Sequence, residues 1–126
     1  MPRTCILIVL VTSLLTGCAS ADKVITREEK YADGNLKSKI EYRIREGEEV
    51  LWGKATYYFP NSTVEVQCEH ANGKKHGRYE AFYANGARKS AGAYAYGKRD
   101  GQWSEWGEDG TERKTLYKDG AEVKPP

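Results

Sequence analysis

The chain has 126 residues, of which 39% are hydrophobic and 30% charged, with 20 Lys and Arg against 18 Asp and Glu. That length suits a single domain behind a leader, and so even a charge balance argues against the clustered basic face that a nucleic-acid binder needs. Nine Tyr, three Trp and two Phe beside 13 Gly point to aromatic packing on strands joined by turns.

The chain opens with Met1-Pro2-Arg3-Thr4 and an almost unbroken apolar run from Cys5 to Leu15. A short basic start, a short apolar stretch and small residues before a cut describe a secretory signal peptide. Eleven residues are too few to cross a bilayer core as a helix, which takes about 20. The ending Leu15-Thr16-Gly17-Cys18 resembles the lipobox of bacterial lipoproteins. That resemblance implies cleavage between Gly17 and Cys18, acyl chains on Cys18, and anchoring to a membrane. Ala19 after the cysteine, by the same resemblance, favours the outer membrane over the inner one in a diderm cell. Cleavage removes one base (Arg3) and no acid, so the remaining 109 residues carry a net charge of +1. With Cys5 cut away and Cys18 acylated, Cys68 is left as a lone thiol, and no disulfide framework is expected.

Residues 18–29 are polar and without period, and are read as a lipidated cysteine followed by a tether. Asp33-Gly34 then opens a strand in which Leu36, Ser38, Ile40 and Tyr42 alternate with charged residues. Around Arg45-Glu46-Gly47-Glu48-Glu49 the chain carries four residues more than its later pattern, which predicts a surface loop extension. Val50 to Phe59 reads as a strand and Pro60-Asn61-Ser62 as a turn, with Ser62 where the other turns have Gly. Val64, Val66 and Cys68 alternate with Glu65, Gln67 and Glu69, which places Cys68 on an apolar face as a small core residue.

The stretch from Gly77 to Asp100 defines the repeat. A shift of 24 carries Gly77, Tyr79, Phe82 and Asn85-Gly86 onto Gly101, Trp103, Trp106 and Asp109-Gly110. A fixed period of this size marks units that bury their faces on their neighbours. The turns Asp33-Gly34, Asn72-Gly73, Asn85-Gly86, Asp109-Gly110 and Asp119-Gly120 are predicted to be tight two-residue hairpin turns. The expected fold is all-β: a single-domain antiparallel β-meander of tandem two-stranded units over residues 30–123, closed by the tail Lys124-Pro125-Pro126.

Two segments, Tyr83-Ala84-Asn85-Gly86-Ala87-Arg88-Lys89-Ser90 and Asn72-Gly73-Lys74-Lys75-His76-Gly77-Arg78-Tyr79, resemble the bacterial MORN-repeat variant, as does Lys98-Arg99-Asp100-Gly101-Gln102-Trp103. The likeness covers about residues 31–120. Many such proteins are similar to the YwqK-type antitoxin family of immunity partners, and others are lipoproteins. The resemblance implies an antiparallel sheet and protein binding, with no catalytic residues to carry over. Ser62, Ala55 in place of the repeat aromatic, and the 28-residue first spacing depart from its pattern.

For chemistry, His70, His76 and Cys68 show no metal-ligand spacing, and the glycines do not sit between a strand and a helix as phosphate loops do. No cofactor, metal or enzymatic activity is expected. Tyr79 and Trp103 alternate with Phe82 and Trp106, so the four aromatics fall on opposite faces of the sheet. They are the candidate binding residues if exposed, and braces by cross-strand pairing otherwise. The expected function is a lipid-anchored scaffold that binds a protein in the cell envelope. The alternatives are neutralisation of a toxin, or binding of wall glycan or lipid headgroups.

Overall fold

The computed structural model describes residues 22–126, so Gly17, Cys18 and the segment read as a signal peptide lie outside the described residues. Nine strands follow one another in a single antiparallel sheet, each paired with the next in sequence. They are β1 Lys23–Lys30, β2 Leu36–Arg45, β3 Glu48–Tyr58, β4 Val64–Ala71, β5 Lys74–Phe82, β6 Arg88–Ala95, β7 Lys98–Trp106, β8 Glu112–Lys118 and β9 Ala121–Glu122. No helix occurs among the described residues. The connections are too short for crossovers, so an all-β meander is the topology they permit.

Two kinds of turn alternate along the chain. At one end of the sheet, Glu46-Gly47, Asn72-Gly73, Tyr96-Gly97 and Asp119-Gly120 take positive φ at both positions, the two-residue form that matches strand twist. At the other end only one residue per turn is left-handed: Gly34, Ser62, Gly86 or Gly110. There the Gly34 N–H donates to the Tyr31 carbonyl at 2.9 Å and the Gly86 N–H to the Tyr83 carbonyl at 2.8 Å. These are β-turns followed by a bulge residue, a different class from the two-residue form expected for Asp33-Gly34, Asn85-Gly86 and Asp109-Gly110. The residue type does not separate the classes, since Asn72 and Asp119 stand before glycine in the two-residue turns; a side-chain bond does. The side chains of Asp33, Asn61, Asn85 and Asp109 each accept the backbone N–H two residues on, at 2.9–3.1 Å. That local bond holds the Asx residue out of the left-handed region.

Two further expectations are corrected. Residues 23–29, read as part of the tether, belong to a strand, Lys23–Lys30, along the edge of β2. Its polar sequence hid it because seven of its eight residues are exposed, so no apolar alternation was required of it. The four extra residues near Glu46 do not form a loop. They lengthen β2 and β3 to 10 and 11 residues around a tight Glu46-Gly47 turn. β1 covers that longer hairpin, pairing as far as Lys23 with Ile44.

Because directly paired residues share a face, the register sorts the side chains. One row runs Glu29, Ser38, Tyr57, Val66, Ala81, Ser90, Glu105, Arg113 across eight strands. Beside it, on the same face, lie Ile40, Ala55, Cys68, Tyr79 and Gly92, paired in turn. This is the packed face, and its buried apolar residues are Ala55, Cys68, Ala81 and Trp103. The opposite, polar face carries the row Glu28, Lys39, Thr56, Gln67, Glu80, Ala91, Ser104, Lys114.

Units are also tied through their ends. The Gly73, Gly97 and Gly120 N–H groups donate to the carbonyls of Leu51, Lys75 and Arg99 in the preceding hairpin, at 2.8–3.0 Å. At the other end the Tyr31 hydroxyl donates to the Tyr58 carbonyl at 2.7 Å, and the Tyr83 hydroxyl to the Trp106 carbonyl at 2.8 Å. Within the sheet, the Glu41 carboxylate accepts the Lys54 N–H at 2.8 Å and the Glu69 carboxylate the Arg78 N–H at 3.0 Å. Both N–H groups lie in bulges where the ladder is interrupted, so a side chain supplies the missing acceptor. The ladder ends when the Val123 N–H donates to the Leu116 carbonyl at 2.7 Å, since Pro125 and Pro126 have no N–H to continue it.

Candidate functional site

The four candidate aromatics separate into two pairs. Trp103 on β7 is 0% exposed and is the largest fully buried side chain. Its ring lies 5.3 Å from Tyr79, 5.1 Å from Tyr94 and 6.4 Å from Tyr117, centroid to centroid. Its Nε1–H donates to the Ala93 carbonyl at 3.0 Å, and the Arg99 guanidinium sits 4.2 Å above it. Burying a Trp of about 200 Å² at about 25 cal/mol per Å² contributes about 5 kcal/mol. Trp103 is therefore the packing centre of the sheet, not a surface for a ligand, and Tyr79 packs against one side of it.

The space for Trp103 comes from a glycine. A Cβ on Gly92 would lie 2.6 Å from Trp103 Cγ and closer still to Cδ2 and Cε2. The indole lies flat against bare backbone there, the use of an aromatic over a strand glycine that compensates its missing side chain. Sequence reading paired Tyr79 with Trp103 by period but gave no role to Gly92, because only cross-strand register brings β6 under the indole.

Phe82 and Trp106 end β5 and β7 on the polar face, by alternation from Ala81 and Glu105. Both are half-buried. Arg88, paired in register with Phe82, holds its guanidinium 5.9 Å above the Trp106 ring. Tyr58, which a shift of 24 lands on Phe82, ends β3 at the same level, though it was not among the candidate binding residues. Trp52 is covered by Arg43 at 3.5 Å from its ring centre.

Across the packed face, near the bulged turns, runs an open groove of about 480 Å³. Phe59, Val66, Tyr79 and Tyr83 supply its apolar walls, Lys89, Arg99 and Glu105 its charges, and Phe82 and Trp106 border it where β5 and β7 end. Arg99 is held by Glu105 at 3.1 Å and by the Tyr117 hydroxyl at 3.2 Å. Lys89 Nζ lies 5.6 Å from the Tyr83 ring.

Cys68 is buried, as its place on the apolar face predicts. Burial pushes its thiol pKa up, with Lys75 opposing. Its sulfur lies 4.0 Å from His70 Nδ1, and burial, aided by Lys75, pushes the His70 pKa down. Both shifts favour neutral forms, the reverse of an activated thiolate. His76 accepts the Tyr96 N–H on Nδ1 at 3.1 Å and lies tilted against the Tyr96 ring, 4.7 Å between centroids, bracing a turn. Among the described residues no cluster of His, Cys, Asp and Glu is placed to hold a metal.

Comparison with known proteins finds no matching family model, no matching curated protein and no matching solved structure.

Proposed function

We propose that the chain is a lipid-anchored, non-catalytic scaffold of MORN-like repeats that binds a protein partner in the cell envelope, with Cys18 as the anchored residue. The observation that supports this reading is the groove on the packed face. It is open, walled by Phe59, Tyr79 and Tyr83, and rimmed by Lys89 and the Arg99–Glu105 pair. An apolar floor with a charged rim is the anatomy of a protein contact. The lipobox supplies the address and the sheet supplies a rigid platform.

The test is photocrosslinking in cells from a reactive side chain placed at Tyr83, in the groove, and from one at Gln67, on the polar face. A single dominant protein captured at Tyr83 and not at Gln67 supports the reading. Its identity then separates an assembly role from neutralisation of a toxin. Equal capture at both positions, or none at Tyr83, removes the groove as the site.

A further inference from the structure

We propose that the polar face carries a glycan-binding ladder, Tyr58, Phe82 and Trp106, that takes a single β-1,4-linked glycan strand of a bacterial cell wall. The choice of this glycan rests on the reading of the chain as an envelope lipoprotein. The ladder itself rests on the structure.

The first observation is the division among the aromatics. Tyr79 and Trp103 belong to a network of ring contacts. Among the described residues no ring–ring pair includes Tyr58, Phe82 or Trp106, and all three are only half-buried. Bracing by ring contacts accounts for the first set and not for the second. Three part-exposed rings at equivalent strand ends are a surface that a ligand can cover.

The second observation is spacing. The three residues end β3, β5 and β7, each separated from the next by one intervening strand. Two strand widths are about 10 Å. An extended β-1,4-linked chain turns alternate sugars over, so the same sugar face recurs once per disaccharide, and a disaccharide is about that long. Each ring therefore meets an equivalent face of successive disaccharides. The C–H groups of that face carry partial positive charge and match the negative face of an aromatic ring. Sheet twist turns each rung about 45° from the next. A single strand can follow that rotation, whereas the flat surface of a crystalline glycan cannot.

The third observation is charge. Arg88 stands beside Phe82 and Trp106 and makes no ion pair among the described residues. Wall glycan strands carry carboxylates on their peptide substituents, and on lactyl groups that bear no peptide, which a guanidinium recognises.

The experiment is co-sedimentation of the full-length chain, in mild detergent, with purified peptidoglycan sacculi and with crystalline chitin. The wild type is expected to sediment with sacculi and not with crystalline chitin. Phe82→Ala and Trp106→Ala are expected to weaken sacculus binding about tenfold each, and Arg88→Ala to weaken it and reduce its salt dependence. Trp106→Phe keeps a ring and is expected to keep binding, so loss of binding in the alanine variants is not mistaken for loss of the fold. No sedimentation of the wild type, or sedimentation unchanged in both alanine variants, overturns the ladder. Equal binding to crystalline chitin overturns the single twisted strand as its ligand. Membrane fractionation of the same chain with Cys18 intact or changed to Ala reads the anchor separately. Sacculus binding without membrane association keeps the ladder and removes the envelope anchor.

Discussion

Gly92→Ala isolates the contact at the centre of the packed face. In a strand, Gly→Ala ordinarily stabilises by about 0.5–1 kcal/mol, because glycine loses more backbone entropy on folding. Gly92 does not have a positive φ, so its backbone sets no penalty against alanine. The penalty is steric. The new methyl would lie under 3 Å from three atoms of an indole that is 0% exposed. The indole cannot retreat, since Tyr79, Tyr94 and Arg99 hold it and its Nε1–H is bonded to Ala93. Overpacking costs about 1–3 kcal/mol, and losing the indole hydrogen bond adds about 1 kcal/mol. With the backbone gain subtracted, the expected net change is a destabilisation of about 1–3.5 kcal/mol, against about 3–5 kcal/mol for Trp103→Ala. Urea unfolding followed by circular dichroism measures it, with an unchanged m-value as the check that the two states remain comparable. On a Trp103→Ala background, Gly92→Ala is expected to be neutral or stabilising, which gives a coupling of more than about 2 kcal/mol. If the single variant is as stable as the parent, or the cycle closes with no coupling, the indole does not depend on a bare backbone at residue 92.

Ser62 holds φ 70 where the equivalent turns have Gly. Ser62→Gly is expected to raise stability by about 1 kcal/mol, read as a higher urea midpoint. Phe59 stands where Tyr31 and Tyr83 send hydroxyls to the next unit's strand-end carbonyl. Phe59→Tyr is therefore expected to reach the Phe82 carbonyl and add about 0.5–1.5 kcal/mol in the same assay. Burial holds the His70 pKa below its ordinary value, so the unfolded chain takes up a proton that the folded chain resists. Stability from this group is present above about pH 6.5 and is lost as pH falls from there through the lower pKa of the folded state. The urea midpoint of the parent is expected to drop more steeply between pH 7 and pH 5 than that of His70→Gln. The Cys68 thiol, buried and with a raised pKa, is expected to react with a bulky disulfide reagent only at the rate of unfolding, and at once in denaturant.

The sequence determines the class of fold because its signals are local. Alternation over Leu36 to Tyr42 and Val64 to Cys68, and turn residues at short intervals, leave a meander as the arrangement that satisfies every backbone group. Period alone also aligned Tyr79 with Trp103 and Phe82 with Trp106, and alternation placed the two pairs on opposite faces. What the sequence did not reveal was set by partners distant along the chain. Lys23–Lys30 is a strand only because β2 offers an open edge, and nothing in its polar sequence announces that. The choice between two turn classes was decided by an Asx side chain accepting an N–H two residues on. The fate of each aromatic depended on its neighbour across the sheet: Gly92 makes room for Trp103 and four side chains close over it, while Phe82 and Trp106 meet no ring. Burial is a property of what lies opposite, and cross-strand register brings together residues that the period, read along one chain, keeps apart.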